Sequence, residues 1–188
     1  MIEVSAQTIN RIHAILAGIE NADKKVLKPA MARGLVAGKA AAGKAVRQAY
    51  HITASDFNRY CYMKYNSVSP SSNGIIGSIE YSGGVIPLIR FKVSPNVPKY
   101  RETPSAAVLK ASSLVAFARK HNVFVQQMKS GHIGIFERKQ GGKIKELLSP
   151  AVPQMVGNDE VMSTIESRVN EVINQRIDHE IERLLNQN

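Results

Sequence analysis

This chain has almost no cysteine and no tryptophan, and the scarcity of cysteine excludes several classes of protein. The 188 residues contain a single cysteine, Cys61, and no tryptophan. One cysteine cannot close an internal disulfide or build a thiolate-rich metal site, and it fits a reducing compartment. The chain also lacks an apolar run long enough to span a bilayer, and Glu3 and Arg11 interrupt its start. Neither a membrane span nor a signal-peptide core is therefore predicted.

The residue patterns that most often carry catalysis are also missing. The five histidines never recur three or four residues apart, so the chain has no His-Glu-x-x-His zinc motif. The glycines form neither a Gly-x-Gly-x-x-Gly fingerprint nor a P-loop. Cys61 falls inside a predicted strand without a neighbouring histidine, which favours a small core residue over a nucleophile. We therefore expect no enzymatic activity, no cofactor and no metal ion.

Basic residues, in contrast, are plentiful and unevenly placed. Lys and Arg number 25 against 15 Asp and Glu, which gives a net charge of +10. Residues 24–64 balance at +8 and residues 86–145 at +10, whereas residues 146–188 balance at −5. A basic body with an acidic terminal segment predicts contact with a polyanion or electrostatic pairing between copies. A solvated basic surface remains the alternative.

Hydrophobic periodicity predicts one α+β domain over residues 1–188, an antiparallel β-sheet with N-terminal helices and a long C-terminal amphipathic helix. The N-terminal helical region covers 1–50, with helices over 4–21 and from about 24 to 50. Pro29 is expected either to open the second helix or to kink it, and Gly34 and Gly38 indicate close helix packing. The sheet is placed over 57–149, with loops at 67–73 and 94–104. Its strands are predicted at 59–65, 74–81, 85–91, 106–111, 115–119 and 123–128, and in a hairpin over 134–148.

The C-terminal third holds the strongest pattern. Two apolar segments flank the Gly141-Gly142 turn and predict that hairpin, after which Pro150 and Pro153 end the sheet. A helix is predicted over 158–187, capped by Asn158 or by the residue after it. Its apolar stripe is predicted either to cover the sheet of the same chain or to contact a neighbouring subunit. The stripe consists of Val161, Ile165, Val169, Val172, Ile173, Ile177, Ile181, Leu184 and Leu185.

Five segments stand in a characteristic order along the chain: 45–50 (AVRQAY), 86–91 (IPLIRF), 115–117 (VAF), 134–138 (GIFER) and 144–155 (IKELLSPAVPQM). Their order and spacing resemble the minor tail protein Z family of tailed phages and prophages, which is related to tail-completion and neck proteins. The resemblance covers most of the chain. Two departures stand out: Glu137 occupies a position where an apolar or small residue is expected, and residues 149–151 replace a Gly-Pro-Ser-like turn.

The resemblance implies a structural virion protein of the tail or neck, made in the host cytoplasm and without contact with a membrane. It implies a homo-oligomeric ring, expected to be hexameric, at the head-proximal end of the tail tube. Such a ring would join a tail terminator or tail tube protein to a head-completion or connector protein and surround the DNA path.

Ten residues are expected to serve that role. For contacts between copies we expect Phe136, Arg138, Leu147, Ile165, Val169 and Ile173. For weak contact with duplex DNA, without sequence preference, we expect Lys39, Lys44, Lys129 and Lys143. The alternative from a different class is a nonspecific nucleic-acid-binding module that acts without assembling.

Overall fold

The computed structural model of the chain describes residues 2–3, 6–71, 74–100, 102–117 and 122–187. It confirms the α+β class, with helices near both ends of the chain and antiparallel sheets between them. The residues group into two compact units. The first unit is drawn from 1–42, 63–81 and 162–188, and the second from 43–62 and 82–161.

The first unit combines three helical segments with one small sheet. Its helices are α1 (Ala6–Ile15), residues 22–42 of α2 (Ala22–Ala49) and most of α5 (Asp159–Leu185). Its strands are β1 (Ile2–Glu3), β2 (Tyr62–Ser71) and β3 (Gly74–Ser82), in the order β1-β3-β2 with β1 antiparallel to β3. Helix α1 is shorter than predicted, since the chain turns after Ile15 and Gly18 follows with a φ of +94°.

Two predicted features of β2 are corrected by the structure. The strand begins at Tyr62 and not at Arg59, because Arg59 and Tyr60 still belong to the preceding helix. It then continues to Ser71 through the segment that was predicted to be a polar loop. Pairing with β3 stabilises this segment as a strand although its own residues favour a turn.

Helices α2 and α5 approach closely within the first unit. A Cβ atom built on Gly34 would lie 2.5 Å from Cγ1 of Ile173, and one built on Gly38 would lie 2.8 Å from Cγ2 of Val169. These glycines therefore let the two backbones approach each other, as their spacing predicted. Pro29 lies inside α2, which runs without interruption from Ala22 to Ala49. The buried side chains around this contact are Leu27, Met31, Leu35, Ile165, Val169, Ile173 and Ile177.

The second unit is built from short strands and short helices. Its helical elements are the end of α2, α3 (Ala54–Tyr60) and α4 (Val152–Val156). Its strands are β4 (Ile86–Pro87), β5 (Lys92–Ser94), β6 (Ser105–Ala107), β7 (Val115–Ala116), β8 (Val123–Gln127), β9 (Ile133–Arg138), β10 (Ile144–Glu146) and β11 (Leu148–Ser149). They form three antiparallel sheets, β10-β9-β8, β11-β4 and β5-β6-β7. The single sheet predicted over 57–149 is therefore divided into four, since β2 and β3 belong to the sheet of the first unit.

A cluster of apolar side chains forms the core of these sheets. It consists of Leu88, Ala106, Val123, Val125 and Ile135. Leu88 is held by its backbone N–H, which donates to the carbonyl of Leu147 at 3.0 Å. The Phe91 backbone N–H donates to the carbonyl of Leu88 at 3.1 Å and closes a 3-10 turn over residues 88–90, so that only Ile86 and Pro87 of the strand predicted over 85–91 form a strand.

Several other helix and strand boundaries differ from the predicted ones by a few residues. Helix α3 begins where the side chain of Thr53 accepts the backbone N–H of Asp56 at 3.0 Å, so the predicted cap opens two turns of helix. The strand predicted over 106–111 is observed as Ser105–Ala107. The strand predicted over 115–119 is observed as Val115–Ala116, and residues 118–119 lie outside the described part of the chain. The predicted loop 94–104 has no regular structure in its described part beyond Ser94.

Helix α5 is close to its prediction at both ends. The side-chain oxygen of Asn158 accepts the backbone N–H of Glu160 at 3.2 Å and that of Val161 at 3.4 Å, so Asn158 is the cap. The short helix α4 was not predicted, and Pro153 lies in its first turn, where a missing N–H costs nothing. Among the described residues, no helix is long and apolar enough to cross a membrane.

Candidate functional site

The hairpin of β9 and β10 gathers four cations in the second unit. The backbone N–H of Lys139 donates to the carbonyl of Lys143 at 2.7 Å and closes the turn. Inside the turn Gly141 and Gly142 have φ angles of +76° and +77°, which other residues adopt with strain. The turn thereby brings together four exposed side chains, Arg138, Lys139, Lys143 and Lys145. We call this group the hairpin cations.

One face of the β8-β9-β10 sheet carries a cluster of aromatic and ionisable side chains. Phe124, Phe136 and Glu146 lie opposite one another on the three strands. The Phe124 and Phe136 ring centroids are 6.3 Å apart, and the His132 ring meets Phe136 edge-on at 6.4 Å. Nε2 of His132 lies 2.7 Å from Oε1 of Glu146, and the Arg138 guanidinium lies 5.4 Å from the Phe124 centroid. These contacts fix the orientation of Arg138 and His132.

Gly134 makes the contact between Glu146 and His132 possible. A Cβ atom on Gly134 would lie 2.6 Å from Oε1 of Glu146 and 3.0 Å from the Phe136 ring. Any larger residue would push the carboxylate away from the imidazole. The glycine that opens the GIFER segment is therefore required by side-chain packing on the neighbouring strand.

Glu137 lies on the opposite face of the same sheet, beside the core. It is 9% exposed, and its Oε2 lies 2.6 Å from Nζ of Lys139. A carboxylate at such a position needs a cationic partner, because burial without one strongly disfavours the charged form. Lys139 supplies this partner and explains how the sequence accommodates Glu137 where an apolar residue was expected.

Strands β4 and β11 form a two-stranded ribbon with one buried and one outward side. Ser149 lies opposite Ile86 and Leu148 opposite Pro87. Ile86 is 0% and Ser149 8% exposed, whereas Leu148 is 47% and Val85 51% exposed. Because side chains alternate along a strand, the outward side continues through both neighbouring residues. We call its four members, Val85, Pro87, Leu148 and Pro150, the apolar ribbon.

The structure places most of the predicted interface residues inside the chain. Ile165, Val169 and Ile173 are 5%, 0% and 4% exposed and pack in the first unit. Phe136 is 5% exposed, and Leu147 packs against the core of the second unit. Buried side chains cannot meet a second copy unless the chain opens, so Phe136, Ile165, Val169 and Ile173 are removed from the candidate interface, whereas Leu147 is only partly buried. Arg138 is exposed and stays in it.

Sequence reasoning missed Leu148 and Val85, the two most exposed members of the apolar ribbon. The signal for Leu148 was the alternation along residues 146–150, which assigns Leu147 and Ser149 to one side and Leu148 to the other. No comparable signal existed for Val85, because its exposure depends on pairing between segments far apart in the sequence.

The four lysines predicted to face DNA are all exposed, but Lys129 and Lys143 of the second unit do not converge. Lys39 belongs to the first unit, and Lys44, Lys129 and Lys143 belong to the second. Lys129 precedes β9 and Lys143 follows it, so a strand of six residues, about 20 Å long, separates them. The structure instead brings Lys143 next to Lys139 at the hairpin turn.

The net positive charge resides almost entirely in the second unit. That unit carries fifteen Lys and Arg against six Asp and Glu, a balance of +9, and the first carries ten against nine, a balance of +1. Burial lowers the pKa of His51 in the second unit, and the charges of Lys92 and Lys110 lower the pKa further. The cationic field of the second unit therefore acts on its own titratable groups and favours polyanions.

Metal-ligating groups are sparse in the described ranges. No group of three or more His, Cys, Asp or Glu side chains there is arranged to hold a metal ion. Cys61 is partly buried and lies between α3 and β2, one residue before the strand in which it was predicted.

Comparison with known proteins gives no match: no family model, no curated protein and no solved structure is significantly similar to this chain. A proposal for the function therefore depends on two surfaces of the chain itself, the apolar ribbon and the hairpin cations.

Proposed function

We propose that this chain is a structural, non-enzymatic component of a phage tail or phage-tail-like particle. In this proposal, copies form a closed ring at the head-proximal end of the tail tube, after synthesis in the host cytoplasm. The single observation that carries the proposal is the apolar ribbon. Scattered apolar residues are ordinary on a surface, but here two exposed apolar side chains, Val85 and Leu148, adjoin two half-buried prolines, and adjacent apolar side chains of this kind are typical of a contact surface.

The position of the ribbon in the sequence supports the same proposal. Strand β4 lies in the IPLIRF segment, and strand β11 lies in the IKELLSPAVPQM segment. Both segments carry the resemblance to the minor tail protein Z family. The ribbon therefore assembles two distant parts of that resemblance into one surface.

A ring requires that the apolar ribbon contacts a different surface of the next copy, because a ribbon that contacts its own counterpart gives a two-fold dimer. If the ribbon of one copy docks on a different surface of the next copy, the contact is heterologous and closes into a ring when the rotation allows. The short edge strands of the second unit offer backbone groups for such a contact. Six copies are expected by analogy with the resembled family, with a tail terminator or tube protein on one side and a head-completion or connector protein on the other.

The charge of the second unit supports weak contact with duplex DNA inside the ring. We place the hairpin cations at the DNA path, since their exposed side chains suit nonspecific phosphate contact. Lys44 and Lys129 would add to this field. The same hairpin favours the second candidate function, a nonspecific nucleic-acid-binding module that works as a monomer.

Light scattering coupled to size-exclusion chromatography, with and without duplex DNA, tests the proposal. We expect the wild-type chain to self-associate as its concentration rises and Leu148→Lys to remain monomeric. The matched control is Leu185→Lys, which makes the same change at a side chain that is 50% exposed and outside the ribbon. Normal assembly of Leu148→Lys would exclude the ribbon as the contact. A wild-type monomer that binds DNA with a steep salt dependence would favour the second candidate.

A further inference from the structure

A groove in the first unit combines cationic side chains from two helices. It has a volume of about 260 Å³ and is lined by Arg33, Val172, Gln175, Arg176 and His179. Arg33 comes from α2, and the other four lie three or four residues apart along one side of α5. The space exceeds what one water needs by more than tenfold, so it can hold a hydrated anion. We call it the α2–α5 groove.

The two arginines of this groove retain unused donors. Among the described residues, no carboxylate lies within ion-pair distance of Arg33, and its side chain is exposed. Arg176 donates from one terminal nitrogen to Glu180 at 2.6 Å, while its Nε is buried and has no hydrogen-bond partner. A guanidinium carries five N–H donors, so Arg176 keeps further capacity after that contact.

The surrounding acids do not neutralise the groove. Glu180 is 2% exposed and is shared between Arg176 and Arg183, so one carboxylate faces two guanidiniums. Two other acids of α5 have cationic partners outside the groove, Asp178 with Arg11 and Glu171 with Arg168, and Glu171 also accepts one N–H of the Gln175 amide at 3.4 Å. No Asp or Glu lines the groove itself. The local charge is therefore positive, although the first unit as a whole is close to neutral.

We propose that the α2–α5 groove binds a phosphate group. The two guanidiniums provide planar, forked donors that match the oxygens of a phosphate, and the Gln175 amide provides another donor. His179 becomes a donor at both ring nitrogens when it is protonated. Val172 offers an apolar wall that adds no competing polar group. The site is separate from the hairpin cations and does not depend on the proposed ring.

Titration calorimetry of the full chain with inorganic phosphate and with pyrophosphate tests this site. We expect saturable binding that is tighter for pyrophosphate, and a loss of about tenfold in affinity for Arg33→Gln, the size of one charge-assisted hydrogen bond. Lys25→Gln is the matched control, since it removes one positive charge from an exposed position of α2, the helix that carries Arg33, outside the groove. Thermal unfolding checks that both variants are folded, and a shift of the Gln175 side-chain amide resonance locates the ligand.

A competition arm identifies the source of the phosphate. If duplex DNA displaces pyrophosphate and Arg33→Gln weakens DNA binding, the ligand is a nucleic-acid phosphate. If DNA leaves pyrophosphate bound, the ligand is a small free phosphate. Either result supports the site. Absence of saturable binding to the wild-type chain, or an equal loss in Arg33→Gln and Lys25→Gln, would overturn it.

Discussion

Glu180 is the most buried carboxylate in the described part of the chain, and its replacement isolates the ion cluster of α5. The side chain is 2% exposed and lies 2.6 Å from nitrogens of both Arg176 and Arg183. The two arginine side chains are 33% and 41% exposed. The cluster is therefore asymmetric, since its anion is enclosed while its cations reach solvent.

This asymmetry sets the order of stability among variants. In Glu180→Gln the two guanidiniums can turn toward water, so we expect a loss of about 2 kcal/mol, near the lower end for charged hydrogen bonds. In the double variant Arg176→Gln and Arg183→Gln the carboxylate stays buried without a cation, and we expect a loss of about 3–5 kcal/mol. The double variant should therefore be the less stable, although it keeps the acid.

Urea unfolding at neutral and acidic pH measures the stability of each variant, and hydrogen exchange of the α5 amides shows whether the stability is lost in that helix. Burial raises the pKa of Glu180, but the Arg183 hydrogen bond and the charges of Arg176, Arg183 and His179 outweigh it and lower the pKa below the ordinary value of 4.5. The ionised carboxylate therefore stabilises the fold above its unfolded pKa, and this contribution is lost as the pH falls through the lower folded pKa.

The difference between wild type and Glu180→Gln should consequently shrink in acid. A gap that grows as the pH falls would refute the role of the ionised form. So would a double arginine variant as stable as Glu180→Gln, because it would mean that the carboxylate is readily hydrated.

Two glycines give further predictions. Gly38→Ala places a Cβ 2.8 Å from Val169, so we expect thermal unfolding to show a loss of stability of about 1–3 kcal/mol. Adding Val169→Ala should recover part of this stability, and no recovery would contradict the contact. Gly134→Ala places a Cβ 2.6 Å from Oε1 of Glu146, so we expect a similar loss together with altered histidine resonances in NMR spectra. Gly84→Ala is the control for both, since nothing lies within 4 Å of its Cβ and its stability should hardly change.

The long helices could be predicted because several sequence signals, the apolar repeat and the capping residue among them, lie within each helix or at its ends. Helix α5 repeats its apolar step over 27 residues and begins at an asparagine that caps it, so its predicted ends are within about two residues of Asp159 and Leu185. Short strands were less predictable, because pairing decides them. Residues 67–71 favour a turn by composition but join β2, whereas the apolar run after Pro87 turns at residues 88–90, where the Phe91 N–H donates to the carbonyl of Leu88.

The candidate interface was misplaced for a related reason. An apolar stripe on a helix reports that one face is covered, but the pattern does not say by which element. Gly34 and Gly38 were recognised as a close-packing pair, yet nothing in the sequence connected them to Val169 and Ile173 on α5. Once that contact is known, the buried residues of the stripe belong to the core, and the proposed self-association has to use another surface.

Leu148 is the position where assembly can be tested apart from folding. Removing α5 would expose the core around Ile173, so a lost ring would report unfolding rather than a lost interface. Leu148 is 47% exposed and points away from the buried side of its strand, where Ser149 lies. Lysine at such a surface position usually changes stability by less than about 0.5 kcal/mol, whereas at a dry contact between copies it buries an unpaired charge. A monomeric Leu148→Lys with an unchanged unfolding midpoint would therefore assign self-association to the second unit. An assembled Leu148→Lys with the same midpoint would refute that assignment, because the variant would be folded normally and would assemble although its ribbon carries a lysine.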